Sequence, residues 1–247
     1  MNMKENIAIK LENINKTYTL YNRGLTLRDQ VFSFFKYSRS RKLKALNDIN
    51  LEIRKGEFFG IMGQNGSGKS TLIQIMNQSI PPDKGGKVIV NGISMQLALG
   101  MGFNQELTAR QNITINSSVL GLSIKEINKK MLEIIEFAEL ESFADTPVKF
   151  YSSGMKSKLM FSIAVLADAD IFLMDEFFGG VGDNSFREKA DKVFHDRLIK
   201  GKTIVHVSHN IFTIKKYCDR VMILEKGRIK KIGKPEEVLP DKKSENK

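Results

Sequence analysis

The sequence is short of several things. It holds one cysteine, Cys218, in 247 residues. That excludes an internal disulfide framework and fits a reducing compartment. The thiol itself reads as a small, semi-buried core residue. No window approaches about 18 uninterrupted apolar residues, so no membrane-spanning helix is expected. The opening stretch MNMKENIAIKLENINKTY lacks the apolar centre of a secretory leader, and the expectation is a soluble cytosolic protein. Acids are scarce: 28 against 39 lysines and arginines, a formal net charge of +11. From Arg23 to Lys44 the only acid is Asp29, and the aromatic run VFSFF, Val31 to Phe35, is interleaved with the cations. Such a balance suits nucleic acid, an anionic membrane or a plain solvated surface, and charge alone leaves all three open.

Enough is present for a sizeable core. The chain is 41% hydrophobic, and its length allows one large α/β domain or two small ones. Ile7–Ile14 and Ile49–Ile53 alternate as strands do. Between them the basic-aromatic segment, about 21–44, reads as an insertion carrying a short helix. Glu57–Gly63 is a short apolar run ending in glycine, a buried strand, and TLIQIM soon after it reads as helix. Lys87–Gly92 is a further strand. A helix-rich block follows, about 104–165. Within it Ser123 and Glu126 have capping-box spacing, and Met131, Ile134, Ile135 and Leu140 recur at helical intervals. A last helix of the block is expected over about Met155–Ala167. Strands return at Asp170–Glu176, Lys202–Ser208 and Arg220–Gly227. The tail, 241–247, is polar and expected to fray.

Three stretches carry chemistry. GQNGSGKST, comprising Gly63, Gln64, Asn65, Gly66, Ser67, Gly68, Lys69, Ser70 and Thr71, matches G-x-x-x-x-G-K-[ST] between a strand and a helix. Glycines let backbone N–H groups close around phosphates, Lys69 reaches the β/γ oxygens, and the Ser70 hydroxyl can ligate Mg²⁺. IFLMDE ends an apolar strand in two carboxylates. Following a phosphate loop, Asp175 is expected to hold Mg²⁺ and Glu176 to act as general base on an attacking water. TIVHVSHN puts His209 just past another strand, where an imidazole can hydrogen-bond a γ-phosphate. His206 alternates to the strand interior and reads as structural. His195 reads as an ordinary helix residue. FYSSGMKSKLMF adds a fourth feature: two serines and a glycine before a helix, a second anion cradle about eighty residues from the first.

A phosphate loop, a helical block, a small-residue cradle, a DE strand and then a histidine: that order resembles the nucleotide-binding subunit of ATP-binding-cassette transporters, over nearly the whole chain. The resemblance implies a single P-loop NTPase domain over 1–247: a RecA-like α/β core, an antiparallel β subdomain and an inserted helical subdomain. It implies that Tyr18, in NKTYTL, stacks on adenine. It implies that YSSGM is a signature loop, with Ser152 and the N–H groups of Ser153 and Gly154 closing over ATP held by a second copy. Ser153 stands where that loop usually has glycine, and Met155 where it has glutamine. Asp183 matches the D-loop aspartate, seven residues after Glu176 rather than six. Gln105, in GFNQELT, has the chemistry of the glutamine that links Mg²⁺ to the membrane subunit, and Asn104 is the alternative in register.

ALNDINLEI, GFNQELTARQNI, PVKFYSSGMKSKLMFSIA and CDRVMILEKGRI look like the ATPases of two-component exporters for cell-surface polysaccharides. The group includes O-antigen, teichoic-acid and some capsule exporters. The implied cofactors are ATP and Mg²⁺. The implied partners are a second copy of the chain, a separate dimeric transmembrane permease, and a lipid-linked glycan or polyol-phosphate polymer as cargo. The expected place is the cytoplasmic face of the membrane. No nucleic-acid partner and no C-terminal carbohydrate-binding domain are expected. The insertion is expected near the membrane, with Phe32, Phe34 and Phe35 against the permease or lipid and cations toward lipid phosphates, or else as a self-packed helix with a solvated basic face. Two alternatives stay open: a cassette ATPase serving another substrate, and a soluble one working on nucleic acid or ribosomes.

Overall fold

The computed structural model describes residues 6–20, 41–98, 103–165, 169–175, 184–193, 196 and 200–240. Two sheets organise the chain. A three-stranded antiparallel sheet has the order β2-β1-β4, with β1 Ile7–Leu20, β2 Arg41–Arg54 and β4 Lys87–Val90. A six-stranded sheet has the order β5-β6-β7-β3-β8-β9. Its members are β3 Phe58–Met62, β5 Ser94–Ala98, β6 Ile171–Asp175, β7 Thr203–Val207, β8 Arg220–Glu225 and β9 Arg228–Gly233. All its pairings are parallel except β8 with β9.

The central strands are apolar without alternation because both faces of a parallel sheet are covered. Neighbouring residues go to opposite cores. Phe58, Phe172, Met174, Ile204 and Val221 pack on one side with Phe186 of helix α5, Asn184–Val193. Phe59, Ile61, Leu173, Val205, Val207 and Met222 pack on the other side. There they meet Leu72 and Ile73 of α1, Lys69–Met76, and Ile9, Ile49 and Ile53 of the antiparallel sheet. The helix bearing the phosphate loop is thereby wedged between the two sheets.

Helices α2 (Ala109–Val119), α3 (Ile124–Phe137) and α4 (Ser153–Ala164) build a third core from Ile113, Ile127, Ile134, Ile135, Leu159 and Ile163. Their starts are written locally. Ser123 and Glu126 form the capping box read from the sequence, and Thr108 with Gln111 forms another at α2. The hydrogen bonds from Ser123 hold the Glu126 carboxyl below its ordinary range.

Three differences from the sequence reading stand out. Residues 41–44 of the expected insertion are the first part of β2, because β1 continues past Ile14 to Leu20 and pairs with them, Tyr18 against Leu43 and Leu20 against Arg41. Residues 21–40, and with them Phe32, Phe34 and Phe35, lie outside the described residues. Strand β5, SMQLA, is not anticipated by the sequence: without a β-branched residue it has little strand signature. The run Arg220–Gly227 breaks at Glu225, and the chain turns back at once as β9.

Candidate functional site

Parallel strands β3, β6 and β7 end at the same edge of the sheet, and in open α/β sheets ligands bind outside that edge. Here the chain after β3 becomes the glycine loop, Gly63 to Gly68, and then α1. Gly68 is the N-cap of α1 with φ 108°, and Gly66 has φ 78°. These left-handed values suit glycine. Gly63 is needed for space: a Cβ there would lie 2.3 Å from the Leu224 carbonyl oxygen. Backbone thus approaches backbone too closely for a side chain at this position. Lys69 is 9% exposed, and its Nζ donates to the carbonyls of Gly63 at 2.7 Å and Gln64 at 3.0 Å. Its ammonium therefore sits against the loop, with an anion-seeking helix N-terminus behind it.

A cavity of about 900 Å³ opens over this loop. It is lined by Tyr18 and Leu43 from the β1–β2 pair, Lys44 and Ala45 of β2, Asn65, Gly66, Gly68, Lys69, Ser70 and Thr71, Asp175 at the end of β6, His209, and Lys226 and Gly227. The structure therefore gathers Tyr18, Asn65, Gly66 and Gly68 of the glycine loop, Lys69 to Thr71, Asp175 and His209 in one place. Ser67 is buried and supports the loop from beneath: its N–H donates to Gln64 O at 3.1 Å and its carbonyl accepts from Gly227 N at 2.9 Å.

Asp175 pairs in register with Val207 of β7 and Ala98 of β5, so its position is set from both sides. His209 lies between anchored neighbours. Ser208 N donates to Ile61 O at 3.2 Å, and Asn210 N donates to Ser208 Oγ at 3.0 Å. Asn210 Oδ1 then caps helix α6, Ile211–Tyr217. His206 is fully buried beside the Phe58 ring, and burial pushes its pKa down to about 4. It takes the structural place read for it.

The donor set fits a magnesium ion. The Ser70 hydroxyl and the Asp175 carboxylate are hard oxygens on one cavity, and Mg²⁺ is commonly held by one or two protein carboxylates together with substrate phosphates. Among the described residues no group of three or more His, Cys, Asp or Glu is placed to hold an ion.

Other expected site residues lie elsewhere. Ser152 is the N-cap of α4, its Oγ accepting from Met155 N at 3.2 Å. Ser152 and Ser153 are exposed, and neither they nor Gly154 line the cavity. Gln105 is exposed and away from the cavity, its carbonyl accepting from Lys149 N at 2.8 Å. Asn104 is committed to its own turn: its Oδ1 accepts from Glu106 N, and its backbone is held by the buried Asn112 side chain. Glu176, Asp183 and His195 lie outside the described residues. Lining residues that the sequence reading did not include are Leu43, Lys44, Ala45, Lys226 and Gly227. Only the pairing of distant strands brings them there, and no local pattern marks them.

A family model described as ABC transporter matches residues 46–179. An O-antigen export system ATP-binding protein of Klebsiella pneumoniae is 40% identical over 236 residues, 94% of this chain and 96% of that protein. A teichoic acids export ATP-binding protein of Listeria innocua is 38% identical over 238 residues, 96% of this chain and 70% of the relative. Among solved structures, a dimeric ATP-binding cassette in a post-hydrolysis state, bound to ADP and Pi, superposes with a TM-score of 0.69 at 25% identity. That match covers 92% of this chain and 98% of the other.

Proposed function

Since the chain belongs to the ABC transporter family of ATP-binding proteins, we propose that it is the ATP-hydrolysing subunit of an exporter for lipid-linked cell-surface polysaccharide of the O-antigen, capsule or teichoic-acid kind. The observation that carries the reading is the single cavity that draws Tyr18, the glycine loop, Asp175 and His209 from four separate segments. The cargo class is supported by relatives named for O-antigen and teichoic-acid export that align along nearly all of this chain.

In this reading Tyr18 offers a ring face to adenine. The N–H groups of the glycine loop and α1 take the phosphates, and Lys69 leaves its carbonyl partners for the β/γ oxygens. Ser70 and Asp175 would hold Mg²⁺, which neutralises charge on the β- and γ-phosphates when bound. Glu176 orients and deprotonates the attacking water, and His209 hydrogen-bonds the γ-phosphate. Ser152 and the N–H groups of Ser153 and Gly154 close over ATP in a second copy, with Asp183 beside that junction. That Ser152, Ser153 and Gly154 do not line the cavity of their own chain suits such an arrangement. Gln105 does not line the cavity, and in this reading it would link the helical unit to the metal once the site is closed. No helix among the described residues is long and apolar enough to cross a membrane. With relatives named as ATP-binding proteins for export, the membrane passage is assigned to a separate dimeric permease, on whose cytoplasmic face this subunit docks.

The test is genetic and chemical together. A strain lacking this chain should accumulate lipid-linked polymer inside the cytoplasmic membrane. Wild-type protein should restore surface polymer, and Lys69→Ala should not. Normal surface polymer in the deletion strain would remove the export assignment, whatever the purified protein does with ATP.

A further inference from the structure

The hairpin between β8 and β9 carries a residue that its backbone disfavours. Only Lys226 and Gly227 join the strands, and both have positive φ, 47° and 75°. A two-residue turn of this hand calls for Asn or Asp and then Gly. Gly227 answers a real demand, since a Cβ there would lie 2.6 Å from the Ala45 carbonyl oxygen. Lys226 answers none: a left-handed lysine crowds its own Cβ against the following carbonyl. Outliers of this kind persist where the surroundings impose them, and they gather at functional sites. Four other described non-glycine residues have positive φ, namely Asn13, Asp48, Gln78 and Glu139, and none of them lines the cavity. Lys226 does.

The turn is tied to the site on both sides. Gly227 N donates to Ser67 O at 2.9 Å, in the phosphate loop, and Asn47 N of β2 donates to Gly227 O at 2.8 Å. Lys226 is thus carried at the cavity wall beside Gly66 and Gly68, with its side chain exposed. The adjacent acid, Glu225, is engaged by Lys230 Nζ at 2.8 Å. Lys44, from the β2 side, is a second cation on the same wall, its Nζ donating to Asn47 Oδ1 at 2.6 Å.

We propose that Lys226 is a nucleotide-binding residue, an ammonium at the cavity rim that engages phosphate oxygens of bound ATP or ADP from outside the glycine-loop motif. The proposal rests on the cavity being the ATP site. A four-carbon stem with three rotatable donors can follow the phosphates without a preset geometry. A charge at an open rim is screened by salt, so its contribution is largest at low ionic strength.

Lys226→Asn separates binding from folding, because Asn is what the turn itself favours. Calorimetric titration with ATP and ADP, at low and high salt, should compare it with wild type, Lys226→Arg and Lys69→Ala. At low salt Lys226→Asn should bind both nucleotides about fivefold more weakly. The gap should shrink at high salt, and Lys226→Arg should restore affinity. Lys226→Gln serves as a second neutral variant should Asn alter the turn. Wild-type affinity at low salt in the neutral variants overturns the proposal. If Lys69→Ala abolishes binding in that case, only the Lys226 assignment falls. If Lys69→Ala binds as wild type does, the reading of the cavity falls with it.

Discussion

Gly68 and Gly227 close on one atom: a Cβ on either would come within 2.6 Å of the Ala45 carbonyl oxygen. The phosphate loop, β2 and the β8–β9 turn therefore meet at a point with no room for a methyl group. Gly66 differs: its φ is positive, but a methyl group added there would meet nothing within 4 Å. Gly66→Ala should cost about 1–2 kcal/mol from backbone strain, and Gly227→Ala about 3 kcal/mol or more from strain plus collision. Urea unfolding of the two variants checks the order. Equal losses would mean that the contact with Ala45 decides nothing.

Glu176→Gln keeps the shape of the side chain and removes the base. It should bind Mg-ATP within about threefold of wild type while kcat falls about a hundredfold or more. Single-turnover hydrolysis reads the chemical step directly. An unchanged rate would take the base assignment away from Glu176.

The exposed N-cap of α4 leads to a test with two damaged copies. Ser152→Arg and Lys69→Ala should each be inactive alone. In a heterodimer the intact Lys69 of one copy meets the intact Ser152 of the other, so the mixture should turn over ATP at one site per heterodimer. A rate equal to the sum of the parents would rule out closure between copies.

His206 makes stability depend on pH. Its imidazole is neutral in the fold, with a pKa of about 4, and once unfolded it titrates near 6.5. The unfolded chain binds the extra proton, so this contribution is complete above about pH 6.5 and is lost as pH falls toward 4. Between pH 7.5 and pH 5 the loss from this group is about 2 kcal/mol. Urea midpoints across that range should fall in wild type and flatten in His206→Leu, after allowance for that variant's own stability.

Much of this was legible from local pattern. Gly63 to Thr71 carries its chemistry in consecutive residues, and Ser123 with Glu126 writes a helix start within four positions. Ile171–Met174 read as an apolar strand, and the structure covers both of its faces. What escaped was set by pairing at a distance. Lys44 and Ala45 reach the cavity because β1 extends through Tyr18 and takes Leu43 as its partner. Lys226 and Gly227 reach it because β8 lies beside β3. The weak strand β5 exists because Met95 and Leu97 align with Phe172 and Met174 of β6, which no propensity of SMQLA foretells.

The junction at Ala45 also bears on how the protein is made. Synthesis delivers the glycine loop early, but the turn that braces it comes near the far end of the sequence. Until β8 and β9 have emerged, Ser67 O lacks its donor and Asn47 N its acceptor. A nascent chain carries the complete motif long before it has the finished cradle. A nucleotide that binds the finished cradle stabilises the completed fold by mass action.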